Sequence, residues 1–152
     1  MNKIHLASIR FDYEEKERIQ QWWKDNIPVP LGFGAYIHCD HVTLAYKPDD
    51  EQAQLLEKLE GVEVLFHAQG WAADEKGQAL AGELCWQSDA APSLWPRRWH
   101  VTVATNEGVP PVYSNELLAR VWHVWDIHRD LSPTFGGKVS IMYSSKKGEA
   151  VA

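Results

Sequence analysis

Hydrophobic and polar positions alternate from Lys3 to Phe11, the pattern of a strand with one buried face. At Asp12 the period lengthens. Ile19, Trp22 and Trp23 recur at helical spacing, which predicts a helix to about Asn26 with Asp12 as its N-cap. Pro28, Pro30, Gly32 and Gly34 mark a loop. Alternation returns from Ala35 to Tyr46 and stops at Pro48. Asp49-Asp50 then opens a helix to Leu59, with Leu55, Leu56 and Leu59 inward and Gly61 closing it. Val62 to Ala73 and Gln78 to Gln87 read as the two strands of a hairpin turning at Asp74-Glu75-Lys76-Gly77. A loop from Ser88 to Pro96 leads to a strand from Arg97 to Ala104, and Gly108-Val109-Pro110-Pro111 forms another loop. Ser114 caps a predicted helix to about Arg129, its inner face Leu117, Leu118, Val121, Trp122 and Trp125. Pro133 to Tyr143 supplies the last strand, with Gly136-Gly137 as a bend or close backbone approach, and the tail from Ser144 is polar and expected to fray.

This order predicts an α+β fold in one domain, residues 1–152. A strand, short loop and helix occur twice in the same order, which suggests two similar lobes whose strands face one another.

Both of those strands contain the same triplet, His41-Val42-Thr43 and His100-Val101-Thr102, followed by Leu44 or Val103. A strand sends alternate side chains to one face. His41 and Thr43 therefore emerge together with Ile37, Cys39 and Ala45, opposite Tyr36, His38, Asp40, Val42, Leu44 and Tyr46. His100 and Thr102 emerge with Arg98 and Ala104, opposite Trp99, Val101 and Val103. The valine faces are the more apolar and are expected to be buried, Tyr36 and Trp99 with them. The His-Thr faces are then left to line a cleft. Either triplet alone is better read as an ordinary strand histidine beside a β-forming threonine. Two copies in matching strands favour a shared task. Two imidazoles and two hydroxyls around one volume suit a phosphate, with a general base, a general acid and neutral donors.

The net charge of −6 disfavours a surface that grips long nucleic acid through many phosphates, but permits a small anionic substrate or an RNA end. Cys39 and Cys85 form no CxxC pair and are expected to be reduced, half-buried strand residues. No apolar run is long enough to span a membrane, and Met1 to Leu6 lacks the features of a secretory signal, so a cytoplasmic protein is expected. The eight tryptophans are expected mainly in the core and at the cleft rim.

The paired triplets, in His41-Val42-Thr43-Leu44-Ala45-Tyr46-Lys47-Pro48 and Trp99-His100-Val101-Thr102-Val103-Ala104-Thr105, resemble the 2H phosphoesterase superfamily. Gly108 to Leu118 adds a likeness to the cyclic phosphodiesterase domain of fungal-type tRNA ligases and stand-alone RNA-repair relatives. The likeness runs from about residue 35 to 143. It implies a two-lobed fold with antiparallel sheets, outer helices and a central cleft. It also implies metal-independent opening of 2′,3′-cyclic phosphates on nucleotides or RNA 3′ ends, leaving a 2′-phosphate and using no cofactor. His41, Thr43, His100 and Thr102 would be catalytic, with His100 assigned to water, His41 to the leaving oxygen and the threonines to the phosphate oxygens. The short interval between the motifs leaves room for one helix and one hairpin, which favours a nucleotide or short RNA end.

Five further residues are candidates for binding substrate. Lys47, on the register of Ala45, would steady a phosphate, and Arg98 would contact a phosphate or base. Tyr46 and Tyr113 would line the cleft mouth. Ser114, as helix cap, would sit where N–H groups meet an anion, although Glu116 opposes one there. His38, Cys39 and His41 form a poor metal set, because neighbours on a strand point apart, and no metal site is expected. The chain is expected to act as a monomer. Alternative tasks are 2′-5′ RNA ligation, hydrolysis of another cyclic phosphodiester, or binding of RNA ends without turnover.

Overall fold

The computed structural model describes residues 3–32, 36–86, 99–120 and 132–144. The predicted periods become β1 (Ile4–Arg10), α1 (Tyr13–Asn26), β2 (Tyr36–Ile37), β3 (His41–Tyr46), α2 (Asp50–Glu57), β4 (Glu63–Ala73), β5 (Gly77–Trp86), β6 (Trp99–Thr105), α3 (Tyr113–Arg120) and β7 (Thr134–Tyr143). Two caps form where their residue types predict them. Asp12 Oδ1 accepts from Glu15 N at 2.9 Å, and Asp49 Oδ1 accepts from Gln52 N at 2.8 Å. α2 ends at Glu57, short of the expected Leu59, and the turn that follows it closes at Gly61, whose φ of +84° is left-handed.

All pairings are antiparallel, and the strand order is β2-β6-β3-β1-β7-β4-β5, with β5 returning to pair with β6. Six strands thus close into a barrel, and β2 continues the line of β3 along β6. The α+β class holds. The expected separate sheets are replaced by one continuous ladder, because β1 finds β7 and β5 finds β6 across long stretches of chain.

The duplication survives inside that ring. Exchange β1 with β5, β3 with β6 and β4 with β7, and every neighbour relation is preserved. The implied two-fold axis passes between β3 and β6 on one side and between β4 and β7 on the other. Helix α2 follows β3 as α3 follows β6.

The main core gathers Ile9, Val42, Leu44, Val64, Phe66, Leu80, Val101, Val103, Phe135 and Val139 from the strands with Ile19 and Trp23 from α1 and Leu56 from α2. Trp23 packs edge-on against Trp71 and donates its indole N–H to Val29 O at 2.8 Å. A smaller cluster joins Tyr113 and Leu117 of α3 to Ala72 and Ala79. The predicted close approach at Gly137 is real: a Cβ there would lie 2.7 Å from Arg10 O. The C-terminal part of the last predicted helix, including Val121, Trp122 and Trp125, lies outside the described residues.

Candidate active site

Val42 pairs directly with Val101, so the two triplets cross antiparallel at their central residues. Both valines are fully buried, while His41, Thr43, His100 and Thr102 stand on the other face, half-buried. All four line one cleft of about 730 Å³, within the range of small-ligand sites. The same cleft is lined by Leu6, His38, Asp40, Tyr46, Gln52, Trp99, Pro111, Val112 and Asn115.

The approach to the first triplet departs from a plain strand. Cys39 has φ +54°, a left-handed conformation rare for a residue with a side chain. His38 N donates to Val103 O at 2.8 Å and Cys39 N to Thr102 O at 2.9 Å, yet the next paired residues are Val42 and Val101. The chain therefore spends extra residues on the β3 side, a bulge. Its effect is to swap faces. Cys39, expected beside His41, turns fully into the core, and burial pushes its thiol up to about 12, with Asp40 adding to the rise. His38, expected on the valine face, instead lines the cleft and shares a 2.8 Å hydrogen bond with Thr105 Oγ1 through Nε2. Tyr36, expected in the core, is 54% exposed, since it precedes the bulge. Cys85 is exposed rather than half-buried, and both cysteines are free.

Burial is the main cause that holds His41 below the ordinary histidine value, with the Arg10 guanidinium adding to the depression and Asp40 opposing it. Arg10 is the partner of His41 across the β1–β3 ladder. His41 Nδ1 is buried and has no hydrogen-bond partner among the described residues. Asp40 is itself engaged, with Lys16 Nζ at 2.6 Å.

Thr102 is tied from behind. Its hydroxyl donates to Pro111 O at 3.1 Å and lies 2.8 Å from Ser114 Oγ. Ser114 is only 2% exposed and sits in the first turn of α3, which begins at Tyr113, so it is a helical residue and not the cap. Its hydroxyl meets Thr102 and does not line the cleft.

The remaining candidates divide. Tyr46 lines the cleft and is 62% exposed, at the mouth as expected. Lys47 does not line it. A left-handed φ of +47° ends the strand register there, and its ammonium lies 5.4 Å from the centre of the Tyr46 ring. Tyr113 is a correction: its hydroxyl donates to Asp74 Oδ2 and accepts from Arg120, at the β4–β5 turn and away from the cleft. The Asp74 bond pushes the Tyr113 phenol up to about 12. Arg98 lies outside the described residues.

Sequence reasoning missed Gln52 and Asn115. Each is the third residue of the helix that follows a motif strand, and both line the cleft. Carrying the duplication on into the helices would have found them. Among the described lining residues none is Lys or Arg, so the cleft offers imidazoles, hydroxyls and carboxamides as neutral donors. No group of three or more His, Cys, Asp or Glu among the described residues is placed to hold a metal ion. Among the described residues no helix is long and apolar enough to cross a membrane. No protein-family model, curated protein or solved structure matches the chain.

Proposed function

We propose that the cleft hydrolyses 2′,3′-cyclic phosphates of nucleotides or RNA 3′ ends by paired-histidine acid–base chemistry. The observation that carries this reading is the Val42–Val101 pairing, which sets two histidines and two threonines around one small cleft. The resemblance to the 2H phosphoesterases supplies the reaction. The two-fold order of the barrel relates the two motif strands to one another, as a shared task for the two triplets requires.

In the mechanism, water attacks phosphorus while one imidazole accepts its proton. The P–O bond to one ribose oxygen breaks, and the second imidazole protonates that oxygen. Product is a nucleoside monophosphate, expected as the 2′-phosphate. Thr43 and Thr102 donate to the non-bridging oxygens, where negative charge grows. The depressed His41 keeps its accepting lone pair at neutral pH. That favours His41 as the base and His100 as the acid, the reverse of the assignment made from sequence. The cleft has room for a nucleotide-sized ligand, with Tyr46 at its mouth as a face for the base.

The test is turnover of the four nucleoside 2′,3′-cyclic monophosphates in EDTA, with phosphate position read by NMR. EDTA-resistant hydrolysis, lost in His41→Ala and in His100→Ala, is expected. Absence of turnover on these and on a cyclic-phosphate-ended oligonucleotide would overturn the reading. Activity confined to 2′-5′ or other phosphodiesters would redirect it.

A further inference from the structure

We infer that Ser114 is a positioning residue that makes Thr102 a donor to bound phosphate; this rests on the phosphate-binding role proposed for Thr102. A threonine hydroxyl has one hydrogen. That hydrogen is given to Pro111 O, which can only accept. The 2.8 Å contact between Thr102 Oγ1 and Ser114 Oγ is therefore donated by Ser114. Thr102 thus has one of its two lone pairs taken from behind and its hydrogen held by a carbonyl.

Pro111 O has a second donor. Ser114 N–H reaches it at 3.1 Å, the same distance as the Thr102 hydroxyl. When Thr102 turns its hydrogen to a phosphate oxygen, Pro111 O keeps the backbone bond from Ser114 N and is not left without a donor. The switch is thereby cheap, and the Ser114 hydroxyl continues to donate to one Thr102 lone pair, which keeps the Thr102 hydrogen pointed away from Ser114. One residue contributes both parts, through its hydroxyl and through its amide.

The arrangement is one-sided. The Thr43 hydroxyl has no hydrogen bond to another described residue in the structure. Two chemically identical threonines in a two-fold ring are therefore set differently, Thr102 pre-aimed and Thr43 not. The helix that carries Ser114 is fixed in turn by Tyr113, whose hydroxyl bridges Asp74 and Arg120.

A double-mutant cycle over Thr102→Ala and Ser114→Ala tests this, with kcat and KM on the cyclic monophosphates and calorimetric affinity for adenosine 2′-monophosphate. Thr102→Ala is expected to lower kcat about 100-fold. Ser114→Ala is expected to lower kcat about tenfold with little change in KM or thermal midpoint. In the Thr102→Ala background, Ser114→Ala is expected to do nothing further. Ser114→Cys, close in size but a weak donor, should fall between wild type and Ser114→Ala. Wild-type behaviour of Ser114→Ala would overturn the inference, as would additive losses in the double variant. If wild type turns over no cyclic phosphate, the proposed function fails by itself; the inference then stands or falls on whether the same coupling appears in affinity for the 2′-monophosphate. Absence of binding as well would remove both.

Discussion

Val42 of β3 and Val101 of β6 face each other in the ladder with no exposure to solvent, and every other feature of the cleft is measured out from that pair. Threonine is nearly the shape of valine but brings a hydroxyl. Val42→Thr or Val101→Thr should each cost about 1–3 kcal/mol, because the new group is buried without a partner. Directly opposed threonines can satisfy one another. The double variant should therefore lose less than the sum, read by urea unfolding. Strict additivity would mean that the two residues do not meet.

The charges around His41 set the acid side of the rate profile. Arg10 depresses His41 and Asp40 raises it. With His41 as base, the acidic limb of kcat/KM should lie below 6.5, its ordinary value. Arg10→Gln should move that limb up and Asp40→Asn should move it down. Movement in the same direction for both would remove His41 from that limb.

The same depression predicts a stability effect. Just below pH 6.5 the unfolded chain binds a proton that folded His41 refuses. Stability must then fall as pH drops through that value, and the loss levels off once pH passes below the folded value. His41→Gln lacks this titration. The stability of wild type relative to His41→Gln should decline from pH 8 toward pH 5, measured by urea unfolding at each pH. A difference independent of pH would show that His41 titrates alike in both states.

Gly82 allows β4 and β5 to approach. A Cβ there would fall 1.9 Å from His67 O and 2.8 Å from His67 C, and backbone cannot give way as a flexible side chain can. Gly82→Ala should destabilise by roughly 3 kcal/mol or more, by thermal unfolding. Gly61→Ala is a useful contrast: open space surrounds it, so only its positive φ resists, at about 1 kcal/mol.

Much of the fold was legible where local rules act alone. The α1 and α2 caps, the hairpin at Asp74 and the tight approach at Gly137 follow from residue type and spacing. Barrel closure was not, because the β1–β7 and β5–β6 pairings are decided by tertiary packing. The four motif residues came from repetition, which needs no structure. The face swap at Cys39 escaped because a left-handed cysteine carries no sequence signal comparable to that of glycine or asparagine. Tyr113 and Ser114 were placed near the cleft by position in the chain. Their directions depended on where α3 begins, and boundaries are the weakest part of a periodicity argument.

β7 fills the gap between β1 and β4, so it is the strand that completes the ring. Until it arrives, both neighbours present unpaired amides and carbonyls along one edge. A growing chain would carry those open edges through most of its synthesis, and pairing the earliest strand with the latest requires a large loop to close. Folding should accordingly be slow beside that of a helical bundle of this size. The partly made chain should be more prone to sticking to its copies than the closed ring, in which each of the six described barrel strands is paired on both sides.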